Sequence, residues 1–376
     1  MMAPEHYFSS NALRRFFIYF ALLVGLSLSG YNLFRATKLA SFPIFYSVDF
    51  FSPLRYVSNA APPPDSDETR LARVLKNAAM PNKTVILTTI NEAWTSPNSI
   101  FDLFLESFRT GVGTQQFLNH LVVVALDQRA FSRCKDVHPH CFALSTEGVD
   151  FSQEAALLSA HYLKMMWRRI DFLRYVLEMG YNFVFTDADI MWFRNPFPHF
   201  FRDMDFQIAC DQFFGNSTDV KRNKPNGGFN FVKSNNRSIE FYKFWYSSRE
   251  RYPGLHDQTV FNRIKMHSFV TDIGLKMRFL DTAYFGGFCQ PSKDLNKVCT
   301  MHANCCIGLE SKVHDLRVML EDWRRFLSFP PTLKRSKKSS WSVPQNCSLK
   351  SLRRRQNHTQ DEDASRGHEH LSRVKY

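Results

Sequence analysis

No Cys-x-x-Cys pair occurs in this chain of 376 residues, although it has eight cysteines: Cys134, Cys141, Cys210, Cys289, Cys299, Cys305, Cys306 and Cys347. Zinc ribbons and fingers are built on such pairs, so that class is excluded. Acidic residues are short, 35 against 48 Lys and Arg, for a net charge of +13. A basic balance can serve a nucleic acid, an anionic surface or an acidic glycan. No nucleic-acid-binding module is present, and the charge is not interleaved with aromatics. Residues 331–376 hold eleven Lys/Arg against four Asp/Glu, which puts +7 of the +13 in the tail. That tail is Ser-rich and is expected to be disordered. Two-metal phosphoester chemistry needs clustered Asp and His ligands, and only one tight acidic pair is found.

Charge is missing altogether from residues 16–34 (FFIYFALLVGLSLSGYNLF), nineteen in a row. Such a run can span hydrocarbon and exceeds a typical signal-peptide core. An uncleaved anchor is therefore expected, with a signal peptide cleaved near Ser27-Leu28-Ser29 as the rival. Arg14 and Arg15 precede the run and Arg35 and Lys38 follow it, so flanking charge does not set the orientation. The expected order is a cytoplasmic tail (1–15), a transmembrane signal-anchor (16–34), a stem (35–80), a catalytic domain (81–330) and the basic tail. The stem carries Pro62-Pro63-Pro64, stiff and without a core pattern. Sequons at Asn82, Asn216, Asn236, Asn346 and Asn357 fit a lumenal chain. The expected address is the Golgi membrane, as a single-pass type II protein.

Hydrophobic residues make up 44% of the chain, enough for a sizeable core. Its centre is the run 183–185 (Phe-Val-Phe), unbroken and apolar, which reads as a strand buried on both faces. The run ends in Asp187-Ala188-Asp189. Side chains two apart on an extended chain point the same way, so two carboxylates emerge together. Adjacent anions call for a cation, and oxygen ligands suit Mn²⁺ or Mg²⁺, ions that also hold phosphates. The alternative is structural, with Asp187 closing a turn and Asp189 pairing with Arg194.

Further strands are expected over 83–90, 121–126, 205–211, 229–233 and 275–280, with helices over 99–109, 159–179 and 238–251. Helix followed by buried strand is the βαβ pattern of a parallel sheet. The loop after the first strand would meet a nucleoside, with Thr88, Asn91 and Glu92 as candidate contacts or as turn residues. Asp127 ends the second strand and can bind ribose or cap the next helix. Lys164 and Arg168 lie four apart on one side of the long helix, for a diphosphate or for solvent. Asn226-Gly227-Gly228 reads as a turn where backbone approaches a sugar, or as a plain tight turn. Cys134 and Cys141 flank a His-Pro turn and suit a local disulfide, with His138 and His140 solvated in it.

These segments together resemble the plant nucleotide-diphospho-sugar transferases of glycosyltransferase family 77. The resemblance spans about residues 80–330. It is carried by VILTTINEAW (85–94), NHLVVVALD (119–127), YLKMMWRRID (162–171), the Asp-x-Asp segment, NGGFN (226–230), His256-Asp257-Gln258, FLDTAYFGGF (279–288) and MHANCC (301–306). It implies a GT-A-like α/β fold with a mixed, mainly parallel sheet. It further implies metal-dependent, retaining transfer from a nucleotide diphosphate sugar, a UDP-sugar above all. The acceptor would be a hydroxyl of a cell-wall glycan or glycoprotein, and the sugar a pentose such as arabinose or xylose. Asp257 and Gln258 would then face the anomeric carbon, Asn226, Gly227 and Gly228 would shape the sugar pocket, and His302 would complete the metal site with Asp187 and Asp189. The reading from another class is an inactive membrane-anchored glycan-binding or scaffold protein.

Overall fold

The computed structural model describes residues 65–155, 158–335 and 340–347. The expected cytoplasmic tail, the membrane anchor and residues 35–64 of the stem lie outside these residues, as does 348–376. Among the described residues no helix is long and apolar enough to cross a membrane.

Helix α1 (Asp67–Ala78) leads into strand β1 (Thr84–Ile90), then helix α2 (Ile100–Thr110) and strand β2 (Leu121–Ala125). Helix α3 (Gln128–Val137) and strand β3 (Cys141–Ala143) follow. The long helix α4 (Ala160–Glu178) ends at Gly180, whose φ of +83° only glycine adopts freely, and the chain turns into β4 (Asn182–Thr186). After β5 (Ile190–Trp192) come β6 (Phe206–Gln212), β7 (Lys224–Val232), α5 (Asn236–Arg251) and α6 (Asp257–Ile264). Short strands β8 (Met277–Phe279), β9 (Phe285–Gly287) and β10 (Thr300–His302) precede helix α7 (Leu309–Ser328).

Seven strands form one sheet in the order β3-β2-β1-β4-β7-β6-β8. The β1–β2, β1–β4, β2–β3 and β6–β8 pairs are parallel, while β7 runs antiparallel to β4 and β6. The sheet is thus mixed and mainly parallel, as expected. Its strands alternate between two cores. Ile86, Val123 and Val184 join α2, α7 and Trp192 on one face. Val85, Leu87, Phe183 and Phe185 join α1, α4, α5 and α6 on the other. Phe183 and Phe185 are fully buried, and truncating either to Ala would cost about 3–5 kcal/mol.

A second sheet, β5-β10-β9, lies past the carboxyl end of β4. Its antiparallel β5–β10 ladder puts His302 opposite Ile190, directly after Asp189.

Two expectations change. Asn226-Gly227-Gly228 is not a turn before a strand but part of β7, where bulges shift the register against β6. The pairing carries the chain through, because the backbone of Gly228 accepts from the N–H of Asp187 (2.7 Å). The tail is also partly structured. Residues 331–335 are helical, and Trp341 packs on Phe193 with ring centres 5.2 Å apart. The fully buried Asp315 accepts backbone N–H groups from Gln345, Asn346 and Cys347 at 2.9–3.0 Å, and Cys347 bonds to Cys306. Composition marked this segment as polar, but a carboxylate and a disulfide hold it where hydrophobic patterning is absent.

Candidate active site

Strands β1 and β4 are parallel and end on the same edge of the sheet, and the site lies at that edge. Asp187, Asp189 and His302 each offer one ligand atom, all within 4.8 Å of one another. The outer oxygens of the two carboxylates are already engaged. Arg169 donates to Asp187 Oδ1 (2.8 Å), and Lys312 donates to Asp189 Oδ2 (2.5 Å). Asp189 Oδ1 lies 3.2 Å from His302 Nε2 but has no hydrogen-bond partner, an orphaned acceptor in a buried place. A Cβ built on Gly228 would stand 2.5 Å from Asp187 Oδ2 and 2.7 Å from His302 Cε1. Glycine is required there for the carboxylate and the imidazole to close in. Two carboxylate oxygens and an imidazole, one oxygen unpartnered, fit a hard divalent cation.

The electrostatics separate the two aspartates. Burial opposes ionisation of Asp189, yet Lys312 and His302 hold its carboxyl well below the usual carboxylate range. Burial and the neighbouring Asp189 push Asp187 the other way, against the pull of Arg169. The Asp187 side chain is 25% exposed, so water tempers that push.

The other expected residues sort cleanly. Asp257 opens α6 and is buried, its Oδ2 2.6 Å from the same Arg169 guanidinium. Gln258 is half-buried, with Oε1 accepting from Gly227 N (3.1 Å) and Nε2 donating to Asp211 (2.8 Å). Asn226 and both glycines lie beside them. Lys164 and Arg168 are not brought to the site. Lys164 is exposed, and Arg168 pairs with Asp171 and the Ser145 carbonyl. Thr88 is fully buried in β1, so it offers a ligand no surface. The Asn91 amide is occupied by the carbonyls of Phe151 and Gln153. Glu92 keeps a partly open carboxylate, paired with Arg129. Asp127 does cap α3, accepting from Ala130 N, and also takes the Glu92 N–H. Asp189 does not pair with Arg194, which stacks on Trp323 and donates to the carbonyls of Leu295 and Val298.

Residues 116–316 match the family described as nucleotide-diphospho-sugar transferase. The chain belongs to this family. An uncharacterised protein of Arabidopsis thaliana is 52% identical over 282 residues, 75% of this chain and 74% of that protein. The Arabidopsis UDP-D-xylose:L-fucose alpha-1,3-D-xylosyltransferase 1 is 27% identical over 150 residues, 39% of each chain. The Arabidopsis arabinosyltransferase RRA1 is 28% identical over 149 residues, 40% of this chain and 34% of that protein. Among solved structures, the apo form of mouse xyloside xylosyltransferase 1 is 14% identical, with a TM-score of 0.35, covering 59% of this chain and 98% of that chain.

Sequence reasoning about this transferase missed three site residues. Arg169 had a signal, since it falls in helical phase with the buried Met166, Leu173 and Val176, whereas Arg168 does not. Lys312 had none, being 123 positions from Asp189, and it also lies over the Trp94 ring at 5.4 Å. Asp211 ends the stretch 205–211 that reads as a strand, and nothing local distinguishes it from a capping residue.

Proposed function

We propose that this transferase moves a sugar, a pentose in our reading, from a UDP-sugar to a hydroxyl of a cell-wall glycan or glycoprotein, with retention of configuration. The observation that carries the reading is the group Asp187–Asp189–His302 at the carboxyl end of a buried strand, closed by Gly228. Asp187, Asp189 and His302 would hold Mn²⁺, or Mg²⁺ in its place. Bound there, the ion supplies Lewis-acid neutralisation of the charge that develops on the departing diphosphate.

The chain's own residues do the rest. Lys312, beside Asp189, is the cation best placed for the diphosphate, in place of Lys164 and Arg168. Arg169 bridges Asp187 and Asp257 and holds both carboxylates in place. Asp257 is closed off behind Arg169, so contact with the reacting sugar falls to Gln258 and the Gly227-Gly228 backbone. No side chain is assigned as a base, because on the retained face the leaving phosphate oxygen can take the acceptor's proton. The pentose reading is supported by relatives named for xylosyl and arabinosyl transfer.

Localisation in the Golgi lumen is part of the proposal. Three disulfides, Cys134–Cys141, Cys289–Cys305 and Cys306–Cys347, support an oxidising compartment. Asn82, Asn216, Asn236 and Asn346 are exposed, as glycan acceptors need to be. The test is a donor screen. Full-length protein is assayed for Mn²⁺-dependent hydrolysis of UDP-xylose, UDP-arabinose, UDP-galactose and UDP-glucose. Turnover restricted to one or two UDP-pentoses is expected. Binding of glycans without turnover of any donor would instead favour the scaffold reading.

A further inference from the structure

Asp211 lies at the end of β6, where the bulged pairing with β7 frees its side chain to turn into the site. Three amide side chains converge on its carboxylate. Asn226 Nδ2 and Asn304 Nδ2 each donate to Oδ1 at 2.8 Å, and Gln258 Nε2 donates to Oδ2 at 2.8 Å. Among the described residues no cationic side chain pairs with it. An ionised carboxylate accepts and never donates, so each amide must turn its NH₂ end towards Asp211. Each amide oxygen is thereby turned outward, and each one holds a backbone N–H. Gln258 Oε1 accepts from Gly227, Asn226 Oδ1 from Gly228, and Asn304 Oδ1 from Cys289, at 3.1, 2.8 and 3.0 Å.

The three backbone groups held this way border the site on two sides. Gly227 and Gly228 pass against Asp257, Asp187 and His302. Cys289 is cross-linked to Cys305, three residues beyond the β10 end that carries His302 and next to Asn304 itself. Asn304 is wedged against Gly287, where a Cβ would stand 2.4 Å from its Oδ1.

We propose that Asp211 is a positioning residue of the transferase site. Its charge sets the flip of Gln258, Asn226 and Asn304 at once. Through them it fixes the double-glycine backbone and the side of Gln258 presented to the sugar. The inference rests on the glycosyl-transfer reading for its kinetic consequence, and on hydrogen-bond polarity alone for its structural one. In Asp211→Asn, one oxygen becomes an NH₂. Oδ1 can keep Asn226 and Asn304, and the new NH₂ then meets the NH₂ of Gln258. Flipping Gln258 only moves the donor–donor clash to Gly227 N–H. Gln258→Glu in the same chain removes the clash, since a carboxylate there accepts both from the new NH₂ at position 211 and from Gly227 N–H.

A double-mutant cycle on the full-length protein tests this, read by melting temperature, with donor hydrolysis measured for Asp211→Asn. Each single variant is expected to melt about 3 °C lower and the double variant to recover most of the loss. In Asp211→Asn, kcat for donor hydrolysis falls about 30-fold while KM for the donor moves less than about threefold. Because Gln258 itself touches the sugar, the double variant is read by melting temperature alone. Additive losses in melting temperature, with the double variant lowest, would overturn the proposal. So would a kcat for Asp211→Asn equal to that of the unmodified protein. If the unmodified protein turns over no donor, the glycosyl-transfer reading falls, and the melting cycle alone still decides on Asp211.

Discussion

Lys312 Nζ lies 2.5 Å from Oδ2 of Asp189, and the Asp189 side chain is only 1% exposed. A buried carboxylate is stable only with compensation, and here a lysine from a helix far along the chain supplies it. Removing that lysine strands the charge. Lys312→Met is expected to cost about 3–5 kcal/mol of stability. Because the other oxygen of Asp189 belongs to the proposed ion site, added Mn²⁺ should offset part of the loss. Thermal melts with and without saturating Mn²⁺ check it. Mn²⁺ should raise the melting temperature more in the variant than in the unmodified protein. An equal or smaller rise would mean that lysine and ion do not share Asp189.

Asp187→Asn keeps the size of the side chain and one oxygen but removes the charge. It should weaken Mn²⁺-dependent UDP binding at least about tenfold, with folding little affected because the side chain is partly exposed. Calorimetric titration of UDP in the presence of Mn²⁺ reads this directly. Unaltered affinity would remove Asp187 from the ligand set.

Gly228→Ala places a methyl group where Asp187 Oδ2 and His302 Cε1 would be 2.5 and 2.7 Å away. Two of the three proposed ligands must then move apart. Donor turnover should fall about 100-fold or more, and stability by about 1–3 kcal/mol. The half-saturating Mn²⁺ concentration should rise with it, and a normal Mn²⁺ dependence would count against the ligand geometry.

His138 illustrates a site that carries stability rather than chemistry. Its Nε2 lies 2.6 Å from the Leu121 carbonyl, and burial pushes the imidazole down to about 4. The folded state therefore resists protonation that the unfolded chain accepts. The contribution is whole above the ordinary histidine range and is lost as pH falls from about 6.5 towards 4, by about 1.4 kcal/mol per unit. Denaturant titrations across that range should show the slope, and His138→Gln, which can still donate to Leu121, should flatten it. An identical pH profile in the variant would show that His138 is not the group responsible.

Ending the chain at Ser340 removes Trp341 from Phe193, the three N–H groups from Asp315 and the Cys306–Cys347 bridge. Loss of the bridge alone should cost about 2–5 kcal/mol. Helix α7 carries both Asp315 and Lys312, so donor turnover should fall along with the melting temperature. A truncated chain that melts and turns over normally would make the segment dispensable.

The sequence by itself determined the buried strand into Asp187-Ala188-Asp189, the longer strands of the main sheet with helices α2, α4 and α5, and the identity of the family, but not the short strands β3, β5, β9 and β10 or helix α7. The features it determined are local, because a run of apolar residues declares a buried strand and a 3.6-residue period declares a packed helix face. Helical phase also places Arg169 on the buried face of α4, with Met166, Leu173 and Val176. Tertiary structure alone decided the rest. Lys312 meets Asp189 only because α7 returns across the sheet edge, and His302 arrives only through the β5–β10 ladder. Asn226-Gly227-Gly228 has the composition of a turn but lies in a strand, since pairing with β4 and β6 outweighs glycine's local preference. Asp211 became a hub because a bulge aimed it at three amides. Such contacts depend on where distant segments cross, and no spacing along the chain encodes that.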